Sequence, residues 1–337
     1  MNKKKVCIIT HHPFWKELLG CGMVMRARYE LLKKLCDEVL VLYITTTDEK
    51  SPLPGGTFKL RQKIKLKDIL NIKSFLVQRN IDTCYFSYDQ FGFLTEFTDC
   101  NNIVEIYDLM HLREIQFKKF GYEATYSKNK KDELESLKRY DSIICLNMDE
   151  VDYLHENNIN SAIYLPPNVN LTEIELNVGK NKFGFISSVA KPNIDGFKCL
   201  NKSLIHSKNF VIAGAICLNK DIINDVSTEA TNVGVVKNPI SFYEKINLAL
   251  SPIRFGGGLK TKVFEALSFC KPVLATKHSI EGFPSNIEEV VTVVDDIKSW
   301  DYETIEAASN IESSKIKEYF LSNFGEQKCS DIMKKIL

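Results

Sequence analysis

Short apolar runs rich in β-branched and aromatic residues alternate with helical patterns along most of this chain. In the first half the predicted strands are KVCIIT, EVLVLYI, DTCYFS, NIVEIY, SIICL and AIYLP. Between them, GMVMRARYELLKKL, DELESLKRY and DEVDYLHEN place apolar residues at helical spacing. Nearly continuous apolar strands separated by helices predict a parallel sheet covered on both faces.

The segment PPNVNLTEIELNVGKNK breaks this rhythm with two prolines and a polar stretch, and residues 168–180 read as an inter-domain linker. The alternation then restarts with KFGFISS, NFVIAGA, NVGVV, LALSPI, PVLATK and EVVTVV. The fold class predicted is α/β, with two doubly wound Rossmann-like domains. They cover residues 1–167 and 181–318, and residues 319–337 form a C-terminal helix packing back toward the first domain. Ligands of such sheets bind beyond the carboxyl ends of the strands. The expected site is therefore a cleft between the domains, walled by the loops that follow strands.

A length of 337 residues agrees with two domains rather than one core. The charges nearly cancel, 44 Lys and Arg against 43 Asp and Glu, so no global field draws nucleic acid or an anionic membrane. The ten cysteines include no CxxC pair and no Cys/His cluster with metal-ligand spacing. Several, such as Cys7 and Cys217, sit in apolar runs and read as buried, reduced thiols of a cytosolic protein. The apolar run at the N-terminus is only VCII, too short for a signal peptide, and no run approaches the roughly 20 residues of a spanning helix. A cytoplasmic protein is expected, with any membrane contact peripheral and at the inner face. KLRQKIKLKDILNIK interleaves Arg61, Lys63, Lys65, Lys67 and Lys73 with Ile64, Leu66, Ile69, Leu70 and Ile72. It fits a solvated helix face or a basic amphipathic segment at a membrane surface.

The strongest candidate chemistry lies in RFGGGLKTKVFEAL, residues 254–267. Gly256, Gly257 and Gly258 follow a predicted strand, and a helix follows them with Val263, Ala266, Leu267 and Phe269 on its apolar face. Read alone, the stretch fits either a sharp turn or a phosphate cradle, in which free backbone N–H groups at a helix start meet an anion. Lys260 and Lys262 add charge, and Glu265 could accept bonds from the two hydroxyls of a ribose. The stretch is neither a Walker A loop nor a GxGxxG fingerprint. In FGFISSVAKPNIDGFKCL the strand ends at Ser187 and Ser188, and Lys191 in the following loop could neutralise a diphosphate. VEIYDLMHLREIQF sets Asp108, His111 and Arg113 beyond a first-domain strand, as a polar site or as a helix cap with a solvated face. His111 is there a candidate base or hydrogen-bond donor. After the first strand come His11 and His12, then Gly20 and Gly22 before a helix, a second anion-friendly terminus with no third metal ligand nearby.

The order of these motifs resembles bacterial family 4 glycosyltransferases, whose GT-B fold has two Rossmann-like domains facing across a cleft. The likeness spans nearly the whole chain. It is most specific in NPISFYEKINLALSPIRFGGGLKTKVFEALSFCKPVLATKHSIEGF and looser toward the N-terminus. The resemblance implies retaining transfer of a sugar from a UDP- or GDP-linked donor, a substrate rather than a cofactor, with no metal required. It implies a glycan, lipid-linked or protein acceptor, in surface-glycan assembly. It further implies that Glu265 binds the ribose and that Lys191 and Lys260 meet the diphosphate, assisted by the amides of Gly257 and Gly258. Ser187, Ser188, Val236, Gly256, Leu259 and Thr261 complete the donor side. Asp108 and His111 join Lys191 and Lys260 as the catalytic group, and His11, His12, Gly22 and Arg113 face the acceptor.

Two departures stand out. Many relatives carry a glutamate eight positions before the one matched by Glu265, where this chain has Gly257; a Gly-rich GxGLKxK subset matches better. Relatives often have His immediately before the aspartate matched by Asp108, where this chain has Tyr107. These departures keep open a catalytically inactive partner subunit; a sugar-nucleotide 2-epimerase shares the two-domain fold and is the other alternative, although the missing glutamate leaves it no clear catalytic candidate.

Overall fold

A computed structural model describes residues 4–16, 20–60, 64–174 and 182–337. Residues 175–180 of the expected linker, and Arg61 and Lys63 of the basic segment, lie outside the described residues. The chain divides into two units. One comprises Met1–Leu112, Tyr126–Val169 and Glu326–Leu337; the other comprises Arg113–Thr125 and Asn170–Gly325.

In the first unit the strands are β1 (Lys5–Thr10), β2 (Glu38–Thr45), β3 (Gly55–Lys59), β4 (Thr83–Ser87), β5 (Asn101–Ile106), β6 (Ser142–Cys145) and β7 (Ala162–Tyr164). They form one sheet in the order β3-β2-β1-β4-β5-β6-β7. Every pairing is parallel, with Ile8 opposite Val41 on one side of β1 and Tyr85 on the other. The order reverses direction at β1, which is the doubly wound pattern. The central strands read as unbroken apolar runs because both faces are covered: Val6, Cys7, Ile8 and Ile9 have no exposed surface. The strand that the sequence pattern misses is β3, GGTFK, an edge strand with no buried residue.

One polar cluster sits inside this unit. The Arg28 guanidinium bonds Glu105 Oε1 through Nε (3.1 Å) and Nη2 (2.8 Å), with neither side chain exposed. Tyr85 donates its hydroxyl to Glu105 Oε2 at 2.7 Å. Arg28 also donates to the carbonyl oxygens of Leu165 and Pro166 and to Asn168. The helix Cys21–Leu35, the sheet and the end of the first long chain segment are thereby joined through one buried ion pair.

The second unit repeats the architecture with β8 (Phe183–Ile186), β9 (Phe210–Ala213), β10 (Thr231–Gly234), β11 (Leu248–Ser251), β12 (Val273–Ala275) and β13 (Val291–Val293). Their order is β10-β9-β8-β11-β12-β13, again all parallel, with the reversal between β8 and β11. Its core includes Phe183, Phe185, Phe197, Phe210 and Trp300. The helix Lys191–Cys199 packs so closely that a Cβ at Gly196 would stand 1.9 Å from the Pro252 carbonyl oxygen.

Two boundaries differ from those read in the sequence. The segment 113–125, expected in the first domain, belongs to the second unit. The cause is aromatic: Phe255 is fully buried, stacked on Phe120 (4.8 Å) and Tyr122 (5.1 Å), with Phe117 edge-on. The expected C-terminal helix is two helices broken at Gly325. Ser313–Phe324 stays in the second unit, where Phe320 and Phe324 pack on Phe264. Glu326–Ile336 belongs to the first unit, burying Cys329 and Met333 and pairing Glu326 with Lys34 at 2.7 Å. A Cβ at Gly325 would meet the Leu321 carbonyl oxygen at 2.6 Å, so the break needs glycine. Among the described residues no helix is long and apolar enough to cross a membrane.

Candidate functional site

In the second unit the candidate residues gather at the carboxyl ends of β8 and β11, where the strand order reverses. The glycine loop leaves β11 and enters the helix Thr261–Ser268, with Lys260 at its N-cap position. Gly256 (φ +126°) and Gly258 (φ +64°) occupy backbone regions that L side chains rarely adopt. This is the reason the loop is spelled with glycine.

The loop is held by its carbonyl oxygens. His278 Nε2 donates to the Gly256 oxygen at 3.1 Å. Lys260 Nζ donates to the Gly258 oxygen at 2.8 Å and lies 3.5 Å from that of Gly257. In a trans peptide the C=O of one residue and the N–H of the next point in opposite directions. Each grip therefore turns an amide away from the group that holds its carbonyl: those of Gly257, Gly258 and Leu259. Among the described residues none of these three amides donates to a protein acceptor. The arrangement is a set of free donors at a helix start, suited to an anion.

His278 was not among the residues singled out from the sequence. Its other ring nitrogen meets Glu281 Oε2 at 2.7 Å. Burial pushes the Glu281 carboxyl up, but His278, Lys260 and Lys277 together hold it below its ordinary value. The signal was present in KHSIEG, as a His three residues before a Glu on one short turn, but only the fold brings it to Gly256.

Lys262 was noted only as added charge, and the structure gives it a partner. Its Nζ donates to Asn193 Oδ1 at 2.6 Å, and Asn193 Nδ2 donates to the Ser188 Oγ (3.0 Å) and carbonyl oxygen (3.2 Å). The two loop motifs of the second unit are thus joined through Asn193, itself buried. Burial, and then the neighbouring Lys260, pull the Lys262 amine down to about 8, against the attraction of Glu265. Glu265 lies one turn into the helix and is 5% exposed. Burial raises its carboxyl to about 7, while Tyr243 and Lys262 pull it back. The Tyr243 hydroxyl is beside this carboxylate without reaching hydrogen-bond geometry.

The remaining donor-side candidates sit around this centre. Ser187 is buried and Ser188 exposed at the end of β8. Lys191 is exposed, and its Nζ donates to the Glu123 carbonyl oxygen at 2.9 Å. Leu259 is buried and Thr261 half-buried. Val236 is half-buried in the turn after β10. Val189, Leu218 and Val235, which follow β8, β9 and β10, are exposed apolar side chains along the same edge of the sheet.

In the first unit, Asp108 and His111 are both buried beyond β5. His111 is bonded at both ring nitrogens, Nδ1 to Glu133 Oε2 (2.6 Å) and Nε2 to the Tyr153 hydroxyl (2.8 Å). Glu133 also accepts from the Met110 and His111 amides, and Glu150 from that of Leu109. The ring expected as a base is therefore part of a buried capping cluster at the start of the helix Met110–Lys119. Tyr107 is buried against Tyr88, with ring centroids 4.5 Å apart. Arg113 is half-buried and opens the segment that belongs to the second unit, so the sequence trio Asp108, His111 and Arg113 is divided. His11 packs near Tyr88 and Phe91, and burial, then His12, lowers its basicity. The His12 amide donates to Thr10 Oγ1 at 2.9 Å, and Gly22 is buried in the first turn of its helix. Among the described residues no cluster of three His, Cys, Asp or Glu side chains is placed to hold a metal ion.

No protein-family model and no curated protein matches the sequence. Solved structures do match the fold. The Anabaena Alr3699/HepE structure with UDP and glucose superposes with a TM-score of 0.68 at 10% identity, covering 98% of each chain. A glycosyltransferase from Rickettsia africae ESF-5 gives 0.66 at 13% identity over 100% of this chain and 99% of that one. The lipopolysaccharide outer core galactosyltransferase WaaB gives 0.64 at 9% identity over 98% and 99%. The fold is GT-B, as the order of motifs predicts, with parallel sheets of seven and six strands.

Proposed function

We propose that this chain is a glycosyltransferase that takes a sugar from a nucleotide-sugar donor and passes it to a glycan, lipid-linked or protein acceptor. The observation that carries the reading is the glycine loop of the second unit. Its carbonyls are gripped by His278 and Lys260, its amides are free, and Glu265 lies one turn beyond. A diphosphate at the amides and a ribose at Glu265 would use both features of a nucleotide at once.

On this reading the amides of Gly257, Gly258 and Leu259 receive the diphosphate, and Lys260 and Lys262 supply positive charge beside the loop. Lys191 turns from the Glu123 carbonyl to the outer phosphate. Val189, Leu218 and Val235, with Val236, offer apolar surface to the base. UDP is the first donor nucleotide to test, because the Alr3699/HepE and other similar structures hold it, with GDP second.

The chemistry we assign is transfer with retention, without a metal. The acceptor hydroxyl attacks the anomeric carbon on the face from which the diphosphate departs. The leaving phosphate oxygen takes the acceptor proton. The protein then stabilises the leaving charge and positions the reactants. Asp108 belongs on the acceptor side with His11, His12, Gly22 and Arg113. His111 serves as framework there, since both its nitrogens are already bonded. Family 4 membership, in its Gly-rich subset, is part of this proposal.

A thermal-shift screen against UDP, GDP and their sugars tests it. A nucleotide at about 100 times its Kd raises stability by about 2.7 kcal/mol. If no nucleotide shifts the transition and no nucleotide sugar is consumed, the reading is wrong. An epimerised donor detected by NMR without acceptor would replace it with epimerase chemistry.

A further inference from the structure

We propose that Cys84 and Cys100 form an oxidisable dithiol, in which a hydroperoxide reacts at Cys100 and Cys84 resolves the product into a disulfide. The proposal does not depend on the chemistry assigned to the second unit. Cys84 lies on β4 with no exposed surface, and Cys100 immediately precedes β5. These strands are neighbours, with Thr83 opposite Asn101 and Cys84 opposite Asn102. The Cys84 thiol donates to Cys100 Sγ, and Cys100 in turn donates to the Ile81 carbonyl oxygen at 3.1 Å. Sulfurs in hydrogen-bond contact reach bonding distance by side-chain rotation and a small shift of residues 98–100, which belong to no strand.

The two thiols differ in the way such a pair requires. Cys100 is half-buried and lines a groove of about 100 Å³ with Leu76, Ile81 and Phe97. Other walls of the groove are the exposed Lys73, Asn80 and Asp99. A space of this size admits a small hydroperoxide. The hydrogen bond from Cys84 lowers the Cys100 thiol, against burial and the charges of Asp82 and Asp99. The same bond, and then burial, raises Cys84. The reachable sulfur is thus the nucleophile, and the buried one is its resolving partner. The half-buried Cys36, Cys199 and Cys217 thiols are instead raised, first by burial. Cys7 stands opposite Cys84 on β1, but it has no exposed surface.

The reaction balances with the hydroperoxide as its one oxidant. The Cys100 thiolate attacks a peroxide oxygen, the O–O bond breaks, and the departing oxygen takes up the proton that Cys100 gave. Cys84 then attacks the sulfenic sulfur, the S–O bond breaks, and that oxygen leaves as water with the Cys84 proton. Two thiols are oxidised and one hydroperoxide is reduced. The new bond closes residues 84–100 into a ring. That ring carries Tyr88 and Phe91, against which His11 packs, so oxidation acts on this part of the first unit.

Peptide mapping of the folded full chain tests this. Chymotrypsin cuts between the two cysteines, after Tyr85 and Phe97 among others, so only a disulfide keeps their peptides together. The chain is treated with hydrogen peroxide, its remaining thiols are alkylated, and the unreduced digest is read by mass spectrometry. We expect a linked Cys84–Cys100 peptide pair that dithiothreitol separates. In Cys84→Ala, dimedone should trap a Cys100 sulfenic acid about ten-fold faster than one at Cys36. Cys100→Ser should leave Cys84 reduced. Where Cys84→Ala does not fold, the linked pair in the parent and its loss in Cys100→Ser carry the test. Unlinked, alkylated Cys84 and Cys100 in the peroxide-treated parent overturn the proposal. So does a Cys7–Cys84 pair, or a link from Cys100 to any other cysteine.

Discussion

His278 Nε2 donates to the carbonyl oxygen of Gly256 at 3.1 Å, so the following amide, that of Gly257, is turned the opposite way. A side chain 22 residues downstream thus presets a backbone donor of the candidate anion site. Removing it should weaken nucleotide binding without unfolding the chain. We expect His278→Ala to lower UDP affinity about ten-fold by calorimetry, the scale of one charge-assisted hydrogen bond. His278→Gln, which keeps a donor, should recover part of the loss. Unchanged affinity in His278→Ala would show that the loop is set by its glycines alone.

Lys262 gives a prediction in protons. Its amine is drawn down to about 8, first by burial. For an amine lowered on folding, the associated stability is present above the ordinary lysine range and is lost as pH falls through about 8. A diphosphate beside it would favour the ammonium. UDP binding near pH 8.5 should therefore take up protons, seen as a buffer-dependent enthalpy in titration calorimetry. Lys262→Met should remove that uptake. If it persists in the variant, another group is responsible.

Glu265 gives the opposite balance of stability and binding. Its carboxyl is raised to about 7 by burial. A carboxyl raised on folding contributes stability that is full below about 4.5 and is lost as pH rises through about 7. Glu265→Gln should therefore stabilise the chain at pH 8 by up to about 3 kcal/mol, at about 1.4 kcal/mol per unit, and by little at pH 4. The same variant should bind UDP more weakly, because a neutral amide accepts the ribose hydroxyls less well. Full UDP affinity in Glu265→Gln would remove the ribose assignment.

The Arg28–Glu105 pair is a test of the first unit. Removing one partner leaves the other charge buried, at a cost of about 3–5 kcal/mol. Arg28→Met should shift the unfolding transition reported by Trp15 fluorescence in a Trp300→Phe background, which isolates the first unit's tryptophan. Arg28→Met with Glu105→Leu should cost less than the two single changes summed. Additive losses would mean that the two groups are not coupled.

Among the described residues twelve of the thirteen strands were legible as apolar runs, most of them because a strand buried on both faces has little choice but Val, Ile, Leu and Phe. The missing one, β3, lies at an edge with nothing buried, so burial imposed no such pattern on GGTFK. Within the site, the glycines of 256–258 and the acid at Glu265 were visible because a loop of that backbone geometry demands glycine and because they lie close together in sequence. The same locality picked out Lys260 and Lys191 as candidates for the diphosphate; that each also donates to a backbone carbonyl is visible only in the structure.

The sequence by itself determined the alternation of strand and helix, the restart after the prolines, and the place of the glycine loop beyond a second-unit strand. Those are local properties, written in periodicity and backbone conformation. Only the tertiary structure decided that Phe255 gathers Phe117, Phe120 and Tyr122, and so moves 113–125 into the second unit. Only it set His278 on Gly256, Asn193 on Lys262, and Glu133 and Tyr153 on His111. Each of these joins residues from separate elements, and no spacing along the chain encodes which side chains a packed core brings within hydrogen-bond reach.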